Sequence, residues 1–111
     1  FMDSISHDAH ASFISHLPHA ISYALANSVM GQEDPKSILL LAAGGFKDMS
    51  RVAKSSPQMW ADIFKQNKEN LLNSIEAFEK ELEKSKKMIE ENDWQSLEAW
   101  MSKATTLHKI L

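Results

Sequence analysis

One arginine, five histidines and no cysteine bound the chemistry open to this 111-residue chain. Arg51 is its single guanidinium; every other basic side chain is a lysine. Arginine grips a carboxylate through two parallel hydrogen bonds, which lysine cannot do. Arg51 follows Gly44-Gly45-Phe46, read as a flexible turn leaving an apolar helix, where a backbone without side chains approaches a ligand closely. Trp60 lies at the start of the next helix. The plain alternatives are a surface ion pair for Arg51, worth little, a core role for Trp60 and a solvated pair for Lys47-Asp48. Lys84, Lys86 and Lys87 read as a solvated face, and Trp94 and Trp100 as core or interface.

Three of the five histidines sit in a stretch of unusual composition. From Ala9 to Gln32 there is no Asp, Glu, Lys or Arg, so the helix there is expected to be surrounded on most sides. At 100° per residue Asp8, Ser12, Ser15, His16, His19 and Tyr23 fall in a wedge of roughly 100°, opposite Leu17 and Ile21. A buried neutral polar seam must be hydrogen-bonded to something. Satisfied core histidines and a ligand-facing seam both fit that requirement. His7/His10 and His16/His19, each three apart, also suit a metal, and His7-Asp8 resembles the doublet of helical metallophosphohydrolases. Only His108 is left as a further imidazole, and Pro18 spoils the second pair, so no metal is expected.

These groups need helices to position them. The chain has three glycines and three prolines, 43% apolar and 24% charged residues, and no alternating strand-like stretch, so an all-α fold is expected. Asp3 to Met30 reads as one long helix, which Pro18 should kink or open near Ile14 to Leu17. Gly31 stops it. Asp34 caps and Pro35 opens a restart; Ser37 to Ala43 reads as a short apolar helix ending at Gly44-Gly45, and Phe46 to Lys54 as a short helix or turn. Ser56 caps a helix expected from Pro57 to Glu91, about 35 residues or roughly 50 Å. Its seam is Trp60, Phe64, Asn67, Leu71, Ile75, Phe78 and Leu82. That length exceeds the roughly 35 Å diameter of a compact domain of this size, so a second chain or domain is expected to cover it. Glu76/Lys80 and Glu83/Lys87 are expected pairs on its wet face. Asn92 ends it, Asp93 caps the next, and Trp94, Leu97, Trp100, Met101 and Leu107 mark a last amphipathic helix. Residues 1–111 read as a single domain. A net charge of −3 argues against nucleic acid as a partner, and no apolar run is long enough for a membrane span. No Gly-x-Gly-x-x-Gly or Walker loop is present. The start at Phe1 reads as a cut from a longer protein without a signal peptide, and the expected location is cytoplasmic.

Several blocks together resemble the C-terminal domain of prephenate dehydrogenases. They are His7-Asp8, Ser15-His16-Leu17-Pro18-His19, Gly44-Gly45-Phe46-Lys47-Asp48-Met49-Ser50-Arg51-Val52-Ala53, Met59-Trp60-Ala61-Asp62-Ile63, and Asn67. The likeness runs from about Ser4 to Phe78; beyond Leu82 only helical character matches. It implies a helical dimerisation domain with long helices in an intertwined homodimer, with no Rossmann domain in this chain. NAD and the catalytic histidine would belong to a missing N-terminal dinucleotide-binding domain, so no catalytic residue and no cofactor is expected here. The whole enzyme would convert prephenate to 4-hydroxyphenylpyruvate in tyrosine biosynthesis. By the same resemblance Arg51 holds a substrate carboxylate, His19 and Trp60 line the pocket, and Gly44 passes the ligand. Lys47 and Asp48 join an ionic network at the pocket mouth, and His16, Ser15 and Ser12 support the site. Ser50 stands where the family often has threonine, which keeps the hydroxyl. An arogenate dehydrogenase, or a helical module that only oligomerises, are the alternatives.

Overall fold

The computed structural model describes residues 3–111, all of whose regular elements are helical. The expectation drawn from Phe1 lies outside them. The chain divides into two compact units, one up to Ser74 and one from Ile75 to Leu111.

The first unit opens with α1 (Ser4–Ala11), capped by Asp3, whose carboxylate accepts from the Ser6 N–H at 2.8 Å. A π-helical turn (Ser12–His16) joins α1 without interruption to α2 (Leu17–Met30). Pro18 explains the turn. It has no N–H for the carbonyl four residues back, and its ring crowds that carbonyl. The helix relieves this by widening, so the Leu17 N–H bonds to Ser12 O, five residues back. The expected local opening is therefore present, as a bulge inside a continuous helix.

After Gly31 the chain turns, and Asp34 caps α3 (Pro35–Leu40) by accepting from the Ser37 N–H and hydroxyl. Here the structure corrects the reading of the glycines. Gly44 and Gly45 do not leave a helix; they open α4 (Gly44–Arg51) behind an extended Ala43. Leu41 and Ala42 close α3 early with three-residue backbone bonds to Ile38 and Leu39. Glycine's low helix propensity costs least in a first turn, whose N–H groups lack helical partners anyway. A 3₁₀ turn (Val52–Lys54) follows, and Ser56 caps α5 (Pro57–Gln66) as its position before Pro57 requires.

The expected helix of about 35 residues is two helices. Asn67 leaves helical geometry at φ −126°, ψ 36°, separating α5 from α6 (Lys68–Glu90). Its side chain is engaged elsewhere, donating to Asp8 O at 2.8 Å. Asparagine readily exchanges helical backbone order for such bonds. With 23 residues α6 spans about 34 Å, so the length argument for a covering partner falls.

Burial supplies a better argument. Among the described residues the buried apolar side chains are Leu17, Trp60 and Leu71. The most deeply buried residues are serines: Ser12, Ser22 and Ser74. Ser74 Oγ donates to Leu71 O at 2.9 Å and reaches Ser12 O at 3.4 Å, so small hydroxyls let the π turn and the first turns of α6 approach closely. Meanwhile Ile14, Leu40 and Leu41 stay at least 80% exposed. Apolar surface on this scale belongs against another surface. A hollow of about 350 Å³ by the α3–α4 junction, lined by Val29, Ile38, Leu39, Leu41 and Phe46 among others, is equally apolar.

In the second unit Asn92, at φ 57°, turns the chain out of α6. The Asp93 N–H bonds Met88 O and the Asn92 N–H bonds Ile89 O, closing the helix end with the pattern typical of a left-handed cap residue. Asp93 then caps α7 (Trp94–Thr105), and α8 (Leu107–Ile110) ends the chain. Lys80 pairs with Glu76 as expected; Lys87 pairs with Glu91 instead of Glu83. Glu81 accepts from both Lys84 and the Trp100 indole, which hold its carboxyl below the usual range.

Candidate functional site: an imidazole–indole stack

The π turn and α2 carry the seam, and α5 brings an indole to it. Tyr23, one turn after His19, donates its hydroxyl to Ser55 O at 2.9 Å. That bond ties α2 to the turn from which α5 departs. Trp60, in the first turn of α5, then reaches the His19 ring. The two rings stack with centroids 3.4 Å apart and planes inclined by 18°. His16 meets the same indole edge-to-face at 6.2 Å, and Phe64 does so at 5.9 Å.

The hydrogen bonds fix how each imidazole is presented. Ser15 O can only accept, so His19 Nδ1, 2.8 Å away, is the donor. His19 Nε2 is thereby free to meet a ligand. Asn67 Nδ2 lies 3.2 Å from His16 Nδ1. Burial holds the His16 pKa below 6.5, aided by His19 and opposed by Asp8. Unfolded His16 therefore takes up a proton more readily than folded His16. The stability that neutral His16 confers is present above about pH 6.5 and is lost as pH falls toward the lower folded value. Thermal unfolding should show a melting temperature that drops on acidification from about pH 7.5 to about pH 5.5. The drop should be shallower in His16→Gln.

Ser12 and Ser15 act as supports in the literal sense. The Ser12 hydroxyl donates to Ala9 O at 2.6 Å, and Ser15 lends its carbonyl to His19. Ser22 Oγ, also buried, finds no partner among the described residues.

Arg51 is placed differently. It ends α4 with about two thirds of its side chain exposed, and Asp48 Oδ1 lies 3.6 Å from its Nη1. Among the described residues Asp48 is its one ion-pair partner, and no hydrogen bond or ring contact joins Arg51 to the His19–Trp60 stack. Asp48 pairs with Arg51 rather than with Lys47, whose side chain is exposed and enters no ion pair among the described residues. A Cβ at Gly44 or Gly45 would meet nothing within 4 Å, and neither glycine has positive φ. Nothing among the described residues demands glycine there. No three His, Asp or Glu side chains are grouped to hold a metal among the described residues, and no described helix is long and apolar enough to cross a membrane.

Spacing placed His16 and His19 on one seam; Trp60 was put beside His19 only by the resemblance, and the fold stacks the two rings. Spacing missed Asn67 and Phe64 as members of the same cluster. Both stood in the expected seam, and Asn67, a polar residue in an apolar stripe, was the signal.

Among its described residues this chain is all-helical, with broad exposed apolar faces and a stacked imidazole–indole pair. It belongs to the prephenate dehydrogenase family, in its dimerization domain, whose family model matches residues 3–103. The prephenate dehydrogenase of Bacillus subtilis (strain 168) is 35% identical over 97 residues, covering 86% of this chain and 26% of that protein. The crystal structure of the Aquifex aeolicus prephenate dehydrogenase in complex with hydroxyphenyl propionate and NAD+ superposes with a TM-score of 0.88. It is 37% identical and covers 97% of this chain and 38% of that one. The Synechocystis arogenate dehydrogenase also superposes at 0.88, with 28% identity, covering 93% of this chain and 38% of that one. The chain thus spans well under half the length of these relatives.

Proposed function

We propose that the complete protein is an NAD-dependent prephenate dehydrogenase acting as a cytoplasmic homodimer, and that residues 1–111 serve as its single dimerisation and substrate-binding domain. The family model, which runs across both compact units, supports one functional domain. The observation that carries the substrate reading is the His19–Trp60 stack, which presents an imidazole beside an indole face. The Aquifex aeolicus relative binds an aromatic carboxylate together with NAD+.

NAD supplies hydride acceptance and is held mainly by an N-terminal lobe, since this chain lacks the glycine fingerprint for a pyrophosphate. This chain's part is to bind and orient. Arg51 takes a substrate carboxylate in place of Asp48, His19 Nε2 meets a polar group of the substrate, and Trp60 holds the imidazole in plane. Lys47 and Asp48 form the ionic mouth of the pocket. Gly44, with open space beside it, lets substrate or the second lobe pass close to the backbone. Ser12, Ser15 and His16 keep the seam in shape.

Steady-state assays of the full-length enzyme with prephenate and with arogenate, each with NAD+ and with NADP+, test this reading. Turnover of prephenate with NAD+ is expected; turnover of arogenate alone would move the protein to the other branch of the family, represented by the Synechocystis structure. Turnover of neither would leave an oligomerisation module. Sedimentation equilibrium of the full-length protein at micromolar concentration should give twice the subunit mass. A monomer would leave the exposed Ile14, Leu40 and Leu41 without cover.

A further inference from the structure

Asn67 does three things at once. It interrupts the helix between α5 and α6, it binds the last turn of α1, and it touches the imidazole that borders Trp60. Its orientation is determined by its neighbours. Asp8 O is an acceptor only, so the atom 2.8 Å from it must be the amide nitrogen. The opposite end, Oδ1, accepts from Asn70 Nδ2 at 2.9 Å, which agrees. The second hydrogen on that nitrogen is then directed to His16 Nδ1, 3.2 Å away. His16 must offer a lone pair at Nδ1, so its proton sits on Nε2.

His19 is set the other way, with its proton on Nδ1 against Ser15 O. Two imidazoles on successive turns of one helix thus hold opposite tautomers against one indole. Ring contact transmits the order: His16 braces Trp60 edge-to-face, and Trp60 stacks on His19.

We propose that Asn67 is a positioning residue of the substrate site, locking His16 as the Nε2–H tautomer and through it fixing the Trp60–His19 stack that receives the substrate. The proposal rests on the substrate reading above. The groups facing His16 are Asp8 from α1, His19 from α2, Trp60 from α5 and Asn67 itself. Only Asn67 forms a hydrogen bond to its ring among the described residues.

The test uses the full-length enzyme with ¹⁵N-labelled histidine and the variant Asn67→Asp. Aspartate keeps the size and the loop-forming habit of asparagine but cannot donate to Nδ1. In the wild type, the His16 ring nitrogens should report a bare Nδ1 and a protonated Nε2. In Asn67→Asp, Nδ1 should become protonated. The KM for prephenate should rise by roughly tenfold to a hundredfold, as for a displaced binding group, with kcat changed less than about twofold. A merely structural role would lower the active fraction, and so the apparent kcat, at unchanged KM. A protonated Nδ1 in the wild type overturns the proposal without recourse to any variant, even if Asn67→Asp does not fold. So does an unchanged tautomer in the variant, or a changed tautomer with unchanged KM. If the wild type turns over neither prephenate nor arogenate, the substrate reading fails, and the proposed substrate role with it. The tautomer measurement still reports the Asn67–His16 bond.

Discussion

Arg51→Ala in the full-length enzyme is expected to weaken prephenate binding by about 2–5 kcal/mol while leaving NAD+ binding nearly unchanged. That range is typical when a charge enclosed with its counterion loses its partner. In this chain Arg51 is exposed and pairs with Asp48 at 3.6 Å, a contact of the kind that contributes little by itself. The ion pair holds the guanidinium on α4 without consuming it. A substrate carboxylate enclosed between two lobes would meet it away from bulk water, where a two-pronged hydrogen bond is far stronger than at the surface. Arg51→Lys should recover only a small part of the loss, because an ammonium lacks the planar fork. Steady-state kinetics with each substrate varied in turn checks this. Equal KM and kcat for wild type and Arg51→Ala would leave the guanidinium as surface decoration.

Trp60→Ala should have the largest effect on stability. Among the described residues Trp60 is one of three buried apolar side chains, and it touches His16, His19 and Phe64. Removing a buried indole commonly costs about 3–5 kcal/mol, from lost burial and the cavity left behind. The loss weighs more here because so little other apolar surface is buried within the chain. Thermal unfolding should show a melting temperature lower by several degrees, with Trp60→Phe between the two. A variant that melts with the wild type would contradict the packing described here.

The legible parts of this fold were those written in local chemistry. Asp34-Pro35, Ser56-Pro57 and Asn92-Asp93 each mark a helix boundary by capping and proline geometry that depend on few neighbours. The seam of Ser12, Ser15, His16, His19 and Tyr23 was readable because a helix has one angular period. Distant contacts were not readable. Asn67 breaks a helix whose apolar period continues straight through it, and it does so for Asp8 and His16, more than fifty residues away. Gly44-Gly45 opens a helix where glycine ordinarily suggests an end, because α3 closes three residues before its apolar run ends at Ala43. Pro18 announced a disturbance, but the choice of a π turn depends on Ser12 O accepting the Leu17 N–H. For the candidate site, spacing alone paired His19 with the α2 seam; the stack with Trp60 needed the tertiary fold.

Calorimetric titration of the full-length protein with hydroxyphenyl propionate in the presence of NAD+ tests the central claim most directly. The wild type should bind one molecule per subunit, and Arg51→Ala and His19→Ala should each bind at least about tenfold more weakly at unchanged stoichiometry. Indistinguishable isotherms for all three proteins would contradict a carboxylate site built from this domain.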